Sequence, residues 1–406
     1  MSKNKHRVVI AGGGYGGIKA ALELCEDPRF HITLISDHPD FRVYASLYRT
    51  ATGGPRSIAS IPLTEIFENR AVNIVYDKIA NLDRQTRTIN TAGGREFSYE
   101  ALLVCIGVQT NYFGIKGLAE YSYGIKTPAD AEELKRHLHS QMTEEGHPDL
   151  NYAVVGGGPT GVELAGALPD YLHHVAELHG MPKRKIHVDL IEAAPRLLPN
   201  MPKDISSMVA MHLRKIGVKI YLRTCVQAQT ADALMINNKP LRSHTVIWTA
   251  GVANNSFFED QGFQLAKSGK VRVDQFLQAE KAVYVLGDNA DTPYSGMAQT
   301  ALYDGEYVAH NLMRLANSEN PKPYVAKKPI YVMPAGPGWA AVLWGKIRIY
   351  GRLGWALRRL ADLVAYSDYE PRQMALKRFL AESSSEESCL VCRNKEEALE
   401  YRSGIA

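Results

Sequence analysis

The sequence predicts an α/β protein built from two Rossmann-like dinucleotide-binding domains and a C-terminal α+β appendage. Three observations carry that expectation. A glycine-rich strand–turn–helix unit opens the chain, a second copy follows 144 positions later, and a strand ending in Gly287-Asp288 precedes a long helix before the pattern changes after Leu315.

His6 to Ala11 is a short β-branched run, as expected of a buried strand. It meets Gly12-Gly13-Gly14-Tyr15-Gly16-Gly17, and a helix is expected from Ile18 to Cys25. Gly12, Gly14 and Gly17 thus form G-x-G-x-x-G in the context that a dinucleotide needs. The first glycine permits the tight turn, the second admits a pyrophosphate, and the third lets helix and strand pack closely. The helix N-terminus supplies N–H groups and positive dipole to the phosphates. A second strand, His31 to Ile35, ends at Ser36-Asp37. One of these two would meet a ribose hydroxyl: Ser36 by register, or Asp37 by charge.

The construction recurs. Asn151 to Val155 leads into Gly156-Gly157-Gly158-Pro159-Thr160-Gly161, with a helix expected through Leu168. The strand Ile186 to Ile191 ends at Glu192, a carboxylate that favours NADH because it repels a 2′-phosphate. Arg196, nearby, leaves NADPH open. A lone glycine fingerprint is as readily a glycine-rich turn. Two copies, each with strand, helix and terminal polar residue, imply a chain that binds two dinucleotides. A flavin and a nicotinamide exchange hydride, so the pairing implies redox chemistry. The run Ala282 to Asp288 closes the flavin site, with Ala298-Gln299 at the N-terminus of a helix whose dipole would stabilise charge on a reduced flavin.

With these pieces in place the chain resembles the pyridine-nucleotide flavoprotein reductases, and within them the type II NADH dehydrogenases (NADH:quinone oxidoreductases), over roughly residues 6–315. The stretches that carry the resemblance are 41–53, 107–117, Lys126-Thr127, 156–166, 192–199, 248–252 and Ala298-Gln299. It implies FAD as cofactor, NADH as substrate and a quinone or other small molecule as electron acceptor. It places Gly12, Gly14, Tyr15, Gly16, Gly17, Ser36, Asp37, Gly107, Gly287, Asp288, Ala298 and Gln299 at FAD. Gly156, Gly158, Thr160, Gly161, Glu163, Glu192 and Gly251 fall at NADH. Glu163, beside nicotinamide and flavin, and Gln299 with Tyr303, beside the quinone, are the catalytic candidates. Tyr303 stands where the family usually has a second Gln, which leaves the acceptor's identity open. The implied boundaries are a flavin domain of 1–118 and 254–318, a nicotinamide domain of 119–253, and a membrane- or partner-associating region of 319–406.

Cysteine placement narrows the chemistry. The helix after the first fingerprint has only Cys25, none lies near 156–168, and 44–47 reads Tyr-Ala-Ser-Leu. No thiol relay is expected, so electrons would pass from flavin directly to the acceptor. Cys105 and Cys225 read as core packing. Cys389-Leu-Val-Cys392 has zinc-ligand spacing, yet no second Cys pair follows and the last histidine, His310, is well upstream. No metal is therefore expected; the pair reads as incidental or structural, with a thiol switch or partner contact as the alternative.

In the C-terminal region, Lys328 to Met333 and Trp339 to Trp344 read as strands, Gly345-Lys346 as a turn into Ile347–Tyr350, and Gly354 to Tyr366 as a helix. Leu353, Leu357, Leu360 and Val364 form one apolar stripe. Residues 322–378 hold 11 basic and 3 acidic groups, whereas 1–321 hold 33 basic and 34 acidic, so the net charge of +4 is an average over unlike regions. A stripe and basic charge over 346–378 suit an interfacial helix on anionic lipid; covering the flavin domain or a homodimer interface is the other use. Residues 381–388 read as a disordered linker.

Composition sets the outer bounds. At 406 residues, 45% apolar and 22% charged, the chain is an ordinary globular protein, without the charge bias of a nucleic-acid binder. Five scattered cysteines suit a reducing compartment. No apolar run reaches the ~20 residues of a spanning helix, and no leader is expected. The expectation is a peripheral protein on the cytoplasmic face of a membrane, or otherwise a cytoplasmic one. Two other readings fit the same motifs: an NAD(P)H-dependent flavin reductase of a ferredoxin-like protein acceptor, and a non-enzymatic NADH-sensing flavoprotein.

Overall fold

A computed structural model describes residues 5–143, 149, 151–181, 186–387 and 389–395. The chain opens with β1 (His6–Ala11), α1 (Tyr15–Leu24), β2 (Phe30–Ser36), β3 (Val72–Tyr76) and β4 (Ala101–Val104). It continues through α2 (Pro128–Thr143), β5 (Tyr152–Val155), α3 (Pro159–Leu178), β6 (Val188–Ile191), α4 (Lys203–Lys215), β7 (Lys219–Tyr221) and β8 (Thr245–Trp248). It then returns to the first unit with β9 (Gln278–Glu280), β10 (Val283–Val285) and α5 (Ala298–Ala316). The C-terminal part is β11 (Tyr331–Pro334), β12 (Ala340–Trp344), β13 (Ile347–Tyr350), α6 (Gly351–Ser367) and α7 (Arg372–Ala381).

The first sheet has the order β9-β10-β4-β1-β2-β3. All its pairings are parallel except the outer hairpin β9–β10. Both faces are covered, which is why β1 and β4 are apolar without alternation. α1 and α5 cross at backbone contact: a Cβ on Gly305 would lie 2.3 Å from the Gly16 carbonyl oxygen. The second sheet, β7-β6-β5-β8, is wholly parallel. An antiparallel ribbon of Val108–Thr110 with Val252–Asn254 joins the units where the chain leaves and re-enters the first. Asn289 ties that crossing, donating to the Gly107 carbonyl at 2.8 Å and to Asn254 Oδ1 at 2.7 Å while accepting from Gly107 N–H at 3.0 Å.

Several element ends differ from the sequence expectation. α3 does not stop at Leu168 but runs through Pro169 to Leu178. Leu168, Leu172 and Val175 are buried, and that apolar face offsets the hydrogen bond the proline removes. α6 starts three residues earlier than expected, at Gly351, where Gly354 lets it approach β12 with a would-be Cβ 2.3 Å from the Ala340 carbonyl oxygen. The segment 382–387 is not a loose linker. Glu382 is fully buried between Arg49 and Arg359, and Glu386 bonds to both dinucleotide units: its N–H donates to the Gly53 carbonyl and its carbonyl accepts from Lys135 Nζ. Polar composition left the segment free to order once those cations satisfied its carboxylates.

Candidate functional site

The two glycine turns are built alike, atom by atom. Gly12 and Gly156 have φ of +117° and +116°, a region that L side chains rarely adopt. A Cβ on Gly17 would sit 2.0 Å from the Gly12 carbonyl oxygen, and one on Gly161 would sit 1.8 Å from that of Gly156. These two glycines therefore line no cavity; they press helix against strand. Gly14 and Gly158 differ: they cap α1 and α3, line the cavity, and a Cβ on either would meet no protein atom within 4 Å. Each leaves a bare backbone cradle at a helix N-terminus, the shape and polarity that a pyrophosphate requires.

One cavity of about 1940 Å³ runs past both turns. That is about twice the ~300–1,000 Å³ of a typical single-ligand site, so two dinucleotides fit. Gly12, Gly14, Tyr15, Gly16, Asp37, Gly107, Gly287, Asp288, Ala298 and Gln299 line the end near the first unit. Gly156, Gly158, Thr160, Glu163, Glu192 and Gly251 line the end near the second. Of Ser36 and Asp37, it is Asp37 that lines the cavity. Ser36 is buried and donates to the His38 carbonyl at 2.8 Å, beneath Gly13, whereas the Asp37 carboxylate faces the cavity beside His38.

Glu192 accepts from Gly157 N–H and Ala194 N–H, both at 2.6 Å, which fixes its carboxylate beside the second turn. Arg196 is spent elsewhere: it donates to the carbonyls of Leu198 at 3.1 Å and Met201 at 2.7 Å and to Ser206 Oγ at 2.6 Å. It holds its own loop and leaves the cavity edge to Glu192.

The quinone candidates part company. Gln299 lines the cavity and bonds reciprocally to Ile330, donating to its carbonyl at 2.8 Å and accepting from its N–H at 3.0 Å. Tyr303 is not among the lining residues; Lys327 Nζ lies 3.9 Å above its ring and Tyr324 packs beside it. Tyr303 shares a face of α5 with Gln299 but lies one turn, roughly 6 Å, further along the axis, and that displacement carries it past the end of the cavity. Cys225 likewise departs from expectation. It is exposed at the cavity rim rather than packed in a core, because it lies in a loop before an edge strand. Cys105 is buried under the first glycine turn, its Sγ donating to the Ala11 carbonyl at 3.3 Å, and burial pushes its thiol up to about 12.

Other cavity residues carried no role in the sequence reading. Lys126 stands over the Tyr44 ring at 4.6 Å, and burial lowers its ammonium's pKa while the nearby Asp288 opposes that shift. Behind the lining, Asp304 on α5 accepts from Gly287 N–H at 3.0 Å and from the Tyr324 hydroxyl at 2.7 Å; burial raises its carboxyl to about 6. The C-terminal part supplies a wall: Trp344, Leu357, Leu360, Asp362 and Val364 line the cavity. Glu163 is held up to about 8 by burial, against the pull of Arg49 and with the help of the Asp362 charge. Glu163 is thus protonated at neutral pH and can donate a hydrogen bond or a proton into the cavity.

The apolar stripe of α6 points outward. Leu353, Leu360 and Val364 are 63%, 57% and 57% exposed, while Arg358 on the opposite face is 4% exposed and pairs with Asp362. The basic block is also less free than its charge count suggests. Arg358, Arg359 and Arg378 are ion-paired to Asp362, Glu382 and Glu370, and Arg348 to Asp204. Lys346, Arg352, Arg372 and Lys377 remain exposed around the apolar face.

Two Rossmann-like units sharing one cavity, with a bare glycine cradle in each, define a two-dinucleotide-binding flavoprotein. The chain belongs to the pyridine nucleotide-disulphide oxidoreductase family, whose model matches residues 6–305. It is 25% identical over 388 residues to a type II NADH:quinone oxidoreductase of Staphylococcus epidermidis, covering 89% of this chain and 95% of that one. In three dimensions it is similar to the NDH2 structure from Plasmodium falciparum in complex with NADH, with a TM-score of 0.83 at 17% identity, over 93% of this chain and 98% of that one. The sulfide:quinone oxidoreductase of Aquifex aeolicus superposes with a TM-score of 0.75 at 19% identity, over 98% and 95% of the two chains. Among the described residues no helix is long and apolar enough to cross a membrane.

Proposed function

We propose that the protein is a type II NADH:quinone oxidoreductase that passes two electrons from NADH through FAD to a quinone without pumping protons. The observation that carries this reading is a cavity that joins both glycine cradles to an apolar C-terminal wall and whose two lining cysteines, Cys105 and Cys225, are unbridged and come from different units. Bound FAD would accept hydride from NADH and hand the electrons on.

The chain's own residues divide the work. The flavin is assigned to the unit of 1–118 and 254–318, on Gly14 and the α1 N-terminus, with Asp37 and Asp288 as polar anchors. NADH is assigned to the unit of 119–253, on Gly158 and the α3 N-terminus, with Glu192 excluding a 2′-phosphate. Glu163 holds a proton near the place where the two rings would meet. The quinone would enter between Gln299 and the wall of Leu357, Leu360 and Val364, whose outward continuation suits a lipid surface on the cytoplasmic side.

Anaerobic stopped-flow of the purified holoprotein with NADH, followed by acceptor-dependent NADH oxidation with quinones and with and without liposomes, tests the scheme. The expected result is rapid flavin bleaching by NADH, slower bleaching by NADPH, and turnover on a quinone. Bleaching with no turnover on any quinone would overturn the acceptor assignment.

A further inference from the structure

Outside the lining of the redox cavity, the chain brings four metal-binding side chains to one point. His139 comes from the last turn of α2, His179 is the residue after α3, and Cys389 and Cys392 flank the start of a helical segment at 390–395. Their ligand atoms all lie within 4.8 Å of one another. His139 Nε2 is 3.3 Å and His179 Nε2 is 3.2 Å from Cys392 Sγ, and His179 Nε2 is 3.6 Å from Cys389 Sγ. The two imidazoles meet edge to face at 5.1 Å.

Hydrogen bonding accounts for the group less well than a shared cation does. Cys392 Sγ can donate to one imidazole and accept from the other, but Cys392 Sγ and Cys389 Sγ converge on the same His179 Nε2, at 3.2 and 3.6 Å, and one ring nitrogen with a single proton or lone pair serves both sulfurs poorly. A tetrahedron with Zn–N of ~2.0–2.1 Å and Zn–S of ~2.3 Å has edges of roughly 3.3–3.8 Å, and the three nitrogen–sulfur distances fall on or just under that range. The donor set is that of a tetrahedral S₂N₂ centre, and C-x₂-C is an established ligand spacing for one. Two thiolates balance a divalent charge, so the filled site is neutral and suits its setting: His139 and Cys392 are buried, and His179 and Cys389 partly so. Local spacing gave no sign of the histidines, which precede Cys389 by more than 200 residues.

We propose that His139, His179, Cys389 and Cys392 bind one Zn²⁺ as a closed structural site. Binding releases the two thiol protons and forms two Zn–S and two Zn–N bonds, with no change of oxidation state. The metal fastens the end of the tail to α2 and α3 of the second unit. Directly before it, the same tail reaches Gly53 and Lys135 through Glu386, and Arg49 through Glu382. The zinc thereby anchors the strap that holds the C-terminal wall against both dinucleotide units.

The test uses full-length, FAD-loaded protein purified without chelator. Inductively coupled plasma mass spectrometry is expected to find one zinc per chain, lost in Cys392→Ser and His179→Ala while FAD content stays at one per chain. Cobalt(II) exchanged into the wild type should give thiolate-to-metal charge-transfer and tetrahedral d–d bands, which also serves if a variant fails to fold. Stripping the metal should expose the tail to trypsin at Arg393 and Lys395, and zinc should restore protection. Substoichiometric metal after zinc reconstitution, iron in place of zinc, a Cys389–Cys392 disulfide in the purified protein, or unchanged zinc in Cys392→Ser would each overturn the assignment.

Discussion

The Arg49 guanidinium meets the Asp362 carboxylate at 3.1 Å, although 313 residues separate them, and its other nitrogen meets Glu382 at 2.6 Å. This contact joins the first dinucleotide unit to the helix that walls the cavity. Arg49→Met would leave two carboxylates in a buried setting, with only Arg358 and Arg359 to compensate. The expected loss is ~3 kcal/mol, the low end for breaking a buried pair from one side. Asp362→Asn should cost less, because burial raises that carboxyl against the pull of Arg49, so removing its charge gives up less than stranding it without its cation. Chemical denaturation of the holoprotein measures both; equal losses would contradict the arrangement.

Glu163 gives a pH signature. Its carboxyl is raised from 4.5 to about 8, mainly by burial. The folded protein therefore holds a proton that the unfolded chain releases above ~4.5, and the stability this contributes at low pH is lost as pH rises toward about 8. If its proton serves quinone reduction, acceptor-dependent turnover should fall through the same pH region. Glu163→Gln should flatten both profiles between pH 6 and 9. A wild-type profile unchanged in the variant would remove Glu163 from the proton path.

Gly14 and Gly17 separate binding from folding. Gly14→Ala adds a methyl group to open cavity space at φ −89°, so the fold should keep its melting temperature without flavin, while FAD is lost. Gly17→Ala drives a Cβ to 2.0 Å from the Gly12 carbonyl oxygen, so α1 must lift from β1 and stability should drop by ~3 kcal/mol or more. Flavin absorbance of the purified proteins and far-UV melting of the apo forms distinguish the two outcomes.

What sequence reasoning could reach was local. Both glycine turns, the strand ends at Asp37 and Glu192, and the α5 N-terminus at Ala298 are written in spacings of a few residues, and the cavity assembles from them. What spacing left open shares one cause: each case depends on where a side chain comes to lie or on what lies far away in the chain. Ser36 and Asp37 differ only in the face of one strand end, Tyr303 lies one helical turn past Gln299, and Cys225 sits in a loop that no core covers. The Arg49–Glu382 pair and the His139–Cys392 approach span hundreds of residues, and no periodicity records them. Charge counting misled for the same reason, since Arg358 and Arg378 find buried carboxylates that the composition cannot pair.

The outward apolar face can be tested without touching the cavity. Leu353 and Leu380 are 63% and 62% exposed, and neither lines the cavity. Moving a leucine side chain from water into an apolar medium is worth ~1.5–3 kcal/mol, so each Leu→Glu change should weaken vesicle binding by roughly 10–100-fold. Surface changes of this kind alter stability by only ~0.5 kcal/mol, so NADH should still bleach the flavin of Leu353→Glu/Leu380→Glu at the wild-type rate. Co-sedimentation with anionic vesicles should show the double variant left in the supernatant and the wild type in the pellet. Raising salt should weaken wild-type binding only in part: Lys346, Arg352, Arg372 and Lys377 are screened, whereas leucines seated in the lipid are not. Binding that vanishes with salt and ignores the leucines would make the attraction purely electrostatic and overturn the role assigned to this face.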